Sequence, residues 1–213
     1  MPKVKICGNT NIEDVRLVVE RGADYAGLIF TESKRRVSLE TAQAIIRAFP
    51  EFRNFVAVFS NQSKEEVETL VHDLGIRILQ FHGEETALYC RSFIEKGYEV
   101  IKTFRIKDRM SLKRIDEYNV SAFLFDTYTA ETKGGTGISF NWELIEDRPY
   151  VHEKLFLAGG LNVNNLRKAI QKVHPFAVDV ASGVESAPGK KDPKLLEEFI
   201  RIAKEGEKAC LKK

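Results

Sequence analysis

Residues 3–30 read KVKICGNTNIEDVRLVVERGADYAGLIF, and this stretch decides the fold. It opens on a short apolar run, Val4-Lys5-Ile6-Cys7, with Gly8 directly behind it. Thr10-Asn11-Ile12-Glu13 has the form of a capping box, which starts a helix. Gly22 closes that helix as a C-terminal glycine does. A second apolar run follows at residues 25–30. Strand, helix and strand in this order predict parallel strands joined by a right-handed crossover.

The unit repeats along the chain. Strands are expected at residues 3–7, 25–30, 54–59, 76–81, 98–104, 121–126, 154–158 and 176–180. Each run is short and rich in Val, Ile, Leu and Phe, as a strand covered on both faces should be. Helix starts fall between them. Ser63-Lys64-Glu65-Glu66 reads as a capping box, Ser38 as an N-cap, and Asp192-Pro193 as an N-cap before a first-turn proline, while Asn162 precedes a helix through Lys172. Gly75 and Gly97, like Gly22, precede strands as helix stops. No GxGxxG follows the first strand, which weighs against an open dinucleotide-binding sheet. The expected fold is therefore α/β, a single-domain (β/α)8 TIM barrel spanning residues 1–213.

Composition excludes several classes. Lys plus Arg is 33 against 31 Asp plus Glu, a net charge of only +2, which supports neither a nucleic-acid groove nor an acidic membrane surface. The three cysteines, Cys7, Cys90 and Cys210, are odd in number and not at metal-ligand spacing, which argues for a reducing compartment. The four histidines, His72, His82, His152 and His174, are scattered, so no structural metal is expected. No apolar stretch has signal-peptide or membrane-spanning form, and a cytoplasmic protein is expected.

Alternation within strands assigns faces. Val4 and Ile6 share one face of the first strand, and Lys5 and Cys7 the other. In the sixth strand Phe123 and Phe125 oppose Leu124 and Asp126, and in the eighth Val178 and Val180 oppose Asp179. The bulky face should meet the helices, which turns Lys5, Cys7, Asp126 and Asp179 into the barrel near the C-terminal mouth where such folds place active sites. A free cysteine on an apolar strand usually serves as packing. Lys5, two residues before Cys7, either favours the thiolate or pairs with an interior carboxylate such as Asp179. Asp126 follows an apolar run, and partial withdrawal from water suits a carboxyl to hold a proton and act as an acid; Asp at a strand end also caps turns.

Seven of the fourteen glycines lie between residues 134 and 189. They form Gly134-Gly135-Thr136-Gly137, Ala158-Gly159-Gly160 and Ser182-Gly183, after strands six, seven and eight, with Gly189 beyond. Glycine there lets backbone N–H groups approach an anion, and the loops after strands seven and eight commonly hold phosphate in this fold. Gly137, Gly159, Gly160, Ser182 and Gly183 are the candidate phosphate ligands. Arg35 and Arg36, after strand two, are candidates to clamp a carboxylate, although loop arginines are often merely solvated. His82 closes Gln80-Phe81-His82-Gly83 at the same mouth.

These blocks resemble the phosphoribosylanthranilate isomerase family of tryptophan biosynthesis. The resemblance rests on Lys5-Ile6-Cys7-Gly8, Gly22-Ala23-Asp24, Gln80-Phe81-His82-Gly83, Asp126, Gly134-Gly135-Thr136-Gly137, Ala158-Gly159-Gly160-Leu161, Asp179-Val180-Ala181-Ser182-Gly183-Val184-Glu185 and Pro188-Gly189-Lys190-Lys191-Asp192. It implies a metal-free and cofactor-free Amadori rearrangement of N-(5-phosphoribosyl)anthranilate to the 1-deoxyribulose 5-phosphate ketose. Asp126 matches the general acid that opens the furanose ring, and Cys7 the general base that removes the C2′ proton. Arg35 matches the arginine for the anthranilate carboxylate, with Arg36 as its substitute because this loop is one residue shorter than in relatives. His82 and Asp179 match positions near the anthranilate and the sugar. Ala181 stands where many relatives carry a second serine, and Asn9 replaces an apolar residue after Cys-Gly. The implied partner is a phosphorylated aminosugar, with no nucleic acid or membrane; monomer and homodimer both occur in the family.

Three rivals are weighed against this. A histidine-pathway aminoaldose–ketose isomerase pairs aspartates at the ends of strands one and five, where this chain has Cys7 and Thr103 or Phe104. A metal-dependent pentose-phosphate epimerase needs His and Asp ligands on successive strands. A non-catalytic barrel that binds a phosphorylated metabolite has no need of Cys7 and Asp126 together.

Overall fold

The computed structural model describes residues 1–127, 141–145 and 152–205. Eight strands form a closed (β/α)8 TIM barrel: β1 (Lys3–Ile6), β2 (Tyr25–Ile29), β3 (Phe55–Phe59), β4 (Ile78–Phe81), β5 (Glu99–Ile106), β6 (Ala122–Thr127), β7 (Leu155–Leu157) and β8 (Ala177–Val180). Each strand runs parallel to the next, and β8 returns to β1 with Lys5 opposite Asp179. All eight strand positions agree with the expected runs. β5 extends two residues further, because Arg105 and Ile106 pair with Asp126 and Thr127 of β6.

The barrel has two apolar layers, divided as strand alternation requires. Val4, Ile6, Phe123, Phe125, Val178 and Val180 pack outward in the layer beneath the helices. Cys7, Val56, Val58, Ile78, Leu124, Phe156 and Ala177 form the interior layer.

Helices α1 (Ile12–Glu20), α2 (Leu39–Ala48), α3 (Lys64–Leu74), α4 (Ala87–Ile94), α5 (Leu166–Val173) and α6 (Pro193–Glu205) surround it. Ser38 caps α2, the Ser63/Glu66 capping box starts α3, and Gly75 ends it. Asp192 accepts from the amides of Lys194 and Leu195 at the start of α6. One expected cap is corrected. The α1 cap is Asn11, whose side chain accepts from the Asp14 amide; the Thr10 hydroxyl is drawn away to the Gly189 carbonyl at 2.6 Å. Asn162 precedes α5 as expected, in a turn with Asn164 and Asn165, and the helix begins at Leu166.

Between β5 and β6 the chain makes two 3-10 turns, Arg109–Leu112 and Ile115–Glu117, in place of an α-helix. Leu112, Ile115 and Tyr118 are buried at three-residue intervals, the period of that tighter helix. A short hairpin, β9 (Glu185–Ala187) and β10 (Lys190–Lys191), interrupts the path from β8 to α6 and was not legible in the strand pattern. Among the described residues no helix is long and apolar enough to cross a membrane.

Candidate active site

Cys7 extends β1 by one hydrogen bond, its amide donating to the Val180 carbonyl at 2.8 Å. Its neighbour on the interior face, Lys5, is fully buried and holds Asp179 Oδ1 at 2.7 Å. The pair follows from barrel closure, since the two residues are register partners on β1 and β8 with side chains turned inward. Of the two expectations for Lys5, pairing is realised, yet the ammonium also acts on the thiol. Burial pushes the Cys7 thiol pKa up; Lys5 and Lys191 pull it down, Asp179 adds to the rise, and the net direction is upward. Lys5 thus favours the thiolate as expected, but desolvation and Asp179 together outweigh it. Burial alone would lower the Lys5 pKa, but the charges of Asp179 and Cys7 raise it overall.

Asn9 stands under the same turn. Its Nδ2 donates to the carbonyls of Ile6 and Gly27 at 2.8 and 3.1 Å, which ties the end of β1 to β2. An apolar residue cannot make that tie, so the departure at this position carries a structural role.

Asp126 closes the interior face of β6. Its Oδ1 accepts from the Thr127 amide at 2.8 Å, as a strand-end cap does, while Oδ2 lies 3.4 Å from Nε2 of His82. The ring nitrogen on the other side of His82, Nδ1, meets Gln80 Nε2 at 3.1 Å. Nε2 is thus the ring nitrogen turned to Asp126, and Nδ1 the one turned to Gln80. Gln80 also reaches Thr103 Oγ1 at 3.3 Å, and its Oε1 is buried with no partner among the described residues.

The two loop arginines separate. Arg36 is exposed, and its backbone bridges to Ile29 and donates to the Ser33 carbonyl. Arg35 lies across Gly8, where an added β-carbon would stand 2.5 Å from Arg35 Cδ and where φ is +72°. Its guanidinium grips Glu185: Nε lies 2.9 and 3.0 Å from the two carboxylate oxygens and Nη2 2.6 Å from one of them. Lys191 completes the cluster, donating to Glu185 Oε1 at 2.9 Å and to the Cys7 carbonyl at 2.6 Å. Glu185 and Lys191 lie within two of the blocks that carry the resemblance, but nothing in their spacing points to a shared site.

Gly159 and Gly160 have φ of +83° and +68°. A β-carbon on Gly159 would overlap Thr127, and one on Gly183 would overlap the Leu161 carbonyl, so the end of β6 meets the turn after β7, and that turn meets the one after β8, at these glycines. Ser182 begins a single 3-10 turn, Ser182–Val184, directly after β8. Gly137 lies outside the described residues. The structure thus brings Cys7, Arg35 and Asp179 into one network and Asp126 and His82 into contact. Among the described residues no three His, Cys, Asp or Glu side chains converge as metal ligands.

A closed parallel barrel with ionisable groups delivered from separate strand ends defines the class of barrel enzymes that act on a small molecule at the C-terminal mouth. The family model of N-(5'phosphoribosyl)anthranilate (PRA) isomerase matches residues 4–202. The N-(5'-phosphoribosyl)anthranilate isomerase of Pelobacter propionicus is 45% identical over 206 residues, 96% of this chain and 97% of its own. The crystal structure of phosphoribosyl anthranilate isomerase from Thermotoga maritima superposes with a TM-score of 0.88 at 40% identity, covering 96% of this chain and 99% of that one. A phosphoribosyl anthranilate isomerase in complex with reduced 1-(o-carboxyphenylamino)-1-deoxyribulose 5-phosphate gives a TM-score of 0.84 at 38% identity, with 96% and 99% covered. The chain belongs to the N-(5'-phosphoribosyl)anthranilate isomerase family.

Proposed function

We infer that Cys7 and Asp126 are the base and the acid of the aldose–ketose isomerisation that converts N-(5-phosphoribosyl)anthranilate to 1-(2-carboxyphenylamino)-1-deoxyribulose 5-phosphate in tryptophan biosynthesis. The observation that carries the assignment is their placement: both lie on the interior faces of their strands, β1 and β6, which stand three places apart around the closed barrel. The reaction moves protons at two different atoms, so an acid and a base on separate strands suit it.

In this reading the protonated Asp126 carboxyl gives its proton to the furanose oxygen, the C1′–O bond breaks, and a protonated Schiff base forms at C1′. Cys7 as thiolate then takes the C2′ proton, and the electron pair moves into the C1′–C2′ bond to give the enolamine. Tautomerisation at C1′ and the C2′ hydroxyl yields the ketone. Atoms balance without any added reductant or oxidant. Arg35 receives the anthranilate carboxylate through its Nη1/Nη2 edge, because Glu185 already takes the Nε/Nη2 edge. His82 borders the substrate beside Asp126, and Asp179, whose side chain retains 11% exposure, faces the sugar. The amides around Gly159, Gly160, Ser182 and Gly183 receive the phosphate, with Gly137 as a further ligand. A cytoplasmic site of action belongs to the same reading.

The test is turnover of freshly prepared phosphoribosylanthranilate, followed by loss of anthranilate fluorescence. Catalytic consumption supports the assignment of activity, and stoichiometric binding without turnover would mark a barrel that only holds its ligand.

A further inference from the structure

The geometry points to Glu185, backed by Lys191, as a positioning residue that sets recognition of the substrate's aromatic carboxylate by acting through Arg35. This rests on the reading of Arg35 as the carboxylate anchor.

An arginine at a loop has many rotamers, and fixing one costs side-chain entropy if it is done only when the ligand arrives. Here it is done beforehand. Two nitrogens on one edge of the guanidinium are occupied by a carboxylate that is itself only 3% exposed. Beneath the side chain, Gly8 allows the aliphatic stem to lie flat on the main chain next to Cys7. The arginine is thereby held against the residue assigned as the base.

A carboxylate on Arg35 has an apparent disadvantage: a neutral ion pair attracts a second carboxylate weakly. Lys191 removes it. The ammonium is fully buried and bonds to the same Glu185, so Arg35, Lys191 and Glu185 together keep one net positive charge. Arg35 and Lys191 hold the Glu185 carboxyl below its usual range against the upward push of burial, so it stays ionised.

The cluster is anchored at both ends. The Lys191 amide donates to Asp14 Oδ2 at 2.8 Å, and the Thr10 hydroxyl holds the Gly189 carbonyl, which stitches the β9–β10 hairpin to the start of α1. Lys191 Nζ also donates to the Cys7 carbonyl at 2.6 Å. One hairpin therefore fixes the carboxylate anchor and the main chain of the base relative to each other. A residue with only a stability role would show no dependence on the ligand's carboxylate.

The experiment compares two reduced product analogues by titration calorimetry, 1-phenylamino-1-deoxy-pentitol 5-phosphate with and without the ortho-carboxylate. The ratio of their Kd values reports the carboxylate's share of binding. In the unaltered enzyme the carboxylate form should bind at least about tenfold more tightly. Arg35→Ala should bring the ratio near one. Glu185→Gln should reduce it by roughly tenfold while leaving the Kd of the carboxylate-free analogue within about threefold. Glu185→Asp, which keeps the charge, should recover part of the ratio, and it serves equally if the Gln variant does not fold. A Glu185 variant that weakens both analogues alike, or neither, overturns the positioning role. Persistence of the ratio in Arg35→Ala overturns the Arg35 assignment instead.

Discussion

Gly27 on β2 lies directly against Cys7: a β-carbon there would stand 2.7 Å from the Cys7 Sγ and 3.1 Å from its Cα. The contact continues the β1–β2 register, in which Lys5 faces Tyr25 and Ile6 faces Ala26. The thiol is thus seated by the absence of a side chain on the neighbouring strand. Gly27→Ala should push Sγ aside and lower kcat by about a hundredfold, the scale of a displacement near one ångström at a reacting group. Steady-state kinetics beside a thermal melt separates this from unfolding, and a variant with full turnover would show that the thiol needs no such seat.

Cys7→Ser and Asp126→Asn should each lower kcat by about 10²–10⁴-fold and leave KM within a few-fold. The first keeps the shape and removes an acidic thiol; the second keeps the hydrogen bond from Thr127 and removes the transferable proton. Near-normal turnover in either variant would remove that residue from its proposed proton transfer.

The net upward shift of the Cys7 pKa has a kinetic sign. Raising that pKa thins the thiolate at neutral pH, so kcat/KM should climb as pH rises toward it. Asp179→Asn removes a charge that raises the Cys7 pKa and should move this limb to lower pH. Lys5→Met removes one that lowers it and should move the limb to higher pH. The same sign applies to stability: the un-ionised thiol is favoured in the fold, so its contribution is present below the unfolded-state pKa and is lost as pH rises through the folded one. Shifts of the two variants in the same direction would contradict the charge pattern around the sulfur.

Lys102 and Glu85 form a pair whose side chains are only 3% and 2% exposed, at 2.9 Å. Glu85 also accepts from the amides of Asn61 and Gly83, and Lys102 donates to the Gly83 carbonyl at 2.6 Å, so the pair clasps the loop that follows His82. Lys102→Met leaves a buried carboxylate without its counter-ion and should cost about 3–5 kcal/mol of stability. The midpoint of urea unfolding reads this directly, and an unchanged midpoint would mean that Glu85 finds water in place of Lys102.

How much of the site was legible is seen residue by residue. The inward parity of Lys5, Cys7, Leu124, Asp126 and Asp179 could be read from the alternation of bulky and small or polar side chains. The network around Arg35 could not. Glu185 is 150 residues from Arg35 in the chain, and Lys191 is 184 from Cys7. No periodicity links residues so distant, and the hairpin that carries Glu185 and Lys191 is too short to show a strand pattern. Thr10 illustrates the same limit at a helix start, where a local capping pattern yielded to a partner on the far side of the chain.

By itself the sequence determined which residues alternate, where strands begin, and therefore which side chains enter the barrel; these are properties of a few consecutive residues. Tertiary structure alone decided their partners. Closure of β8 on β1 gave Lys5 to Asp179, burial then set the direction of the Cys7 pKa, and the β9–β10 hairpin brought Glu185 to Arg35. Side-chain parity is a consequence of backbone geometry within one strand, whereas charge pairing and desolvation depend on what the rest of the chain brings alongside.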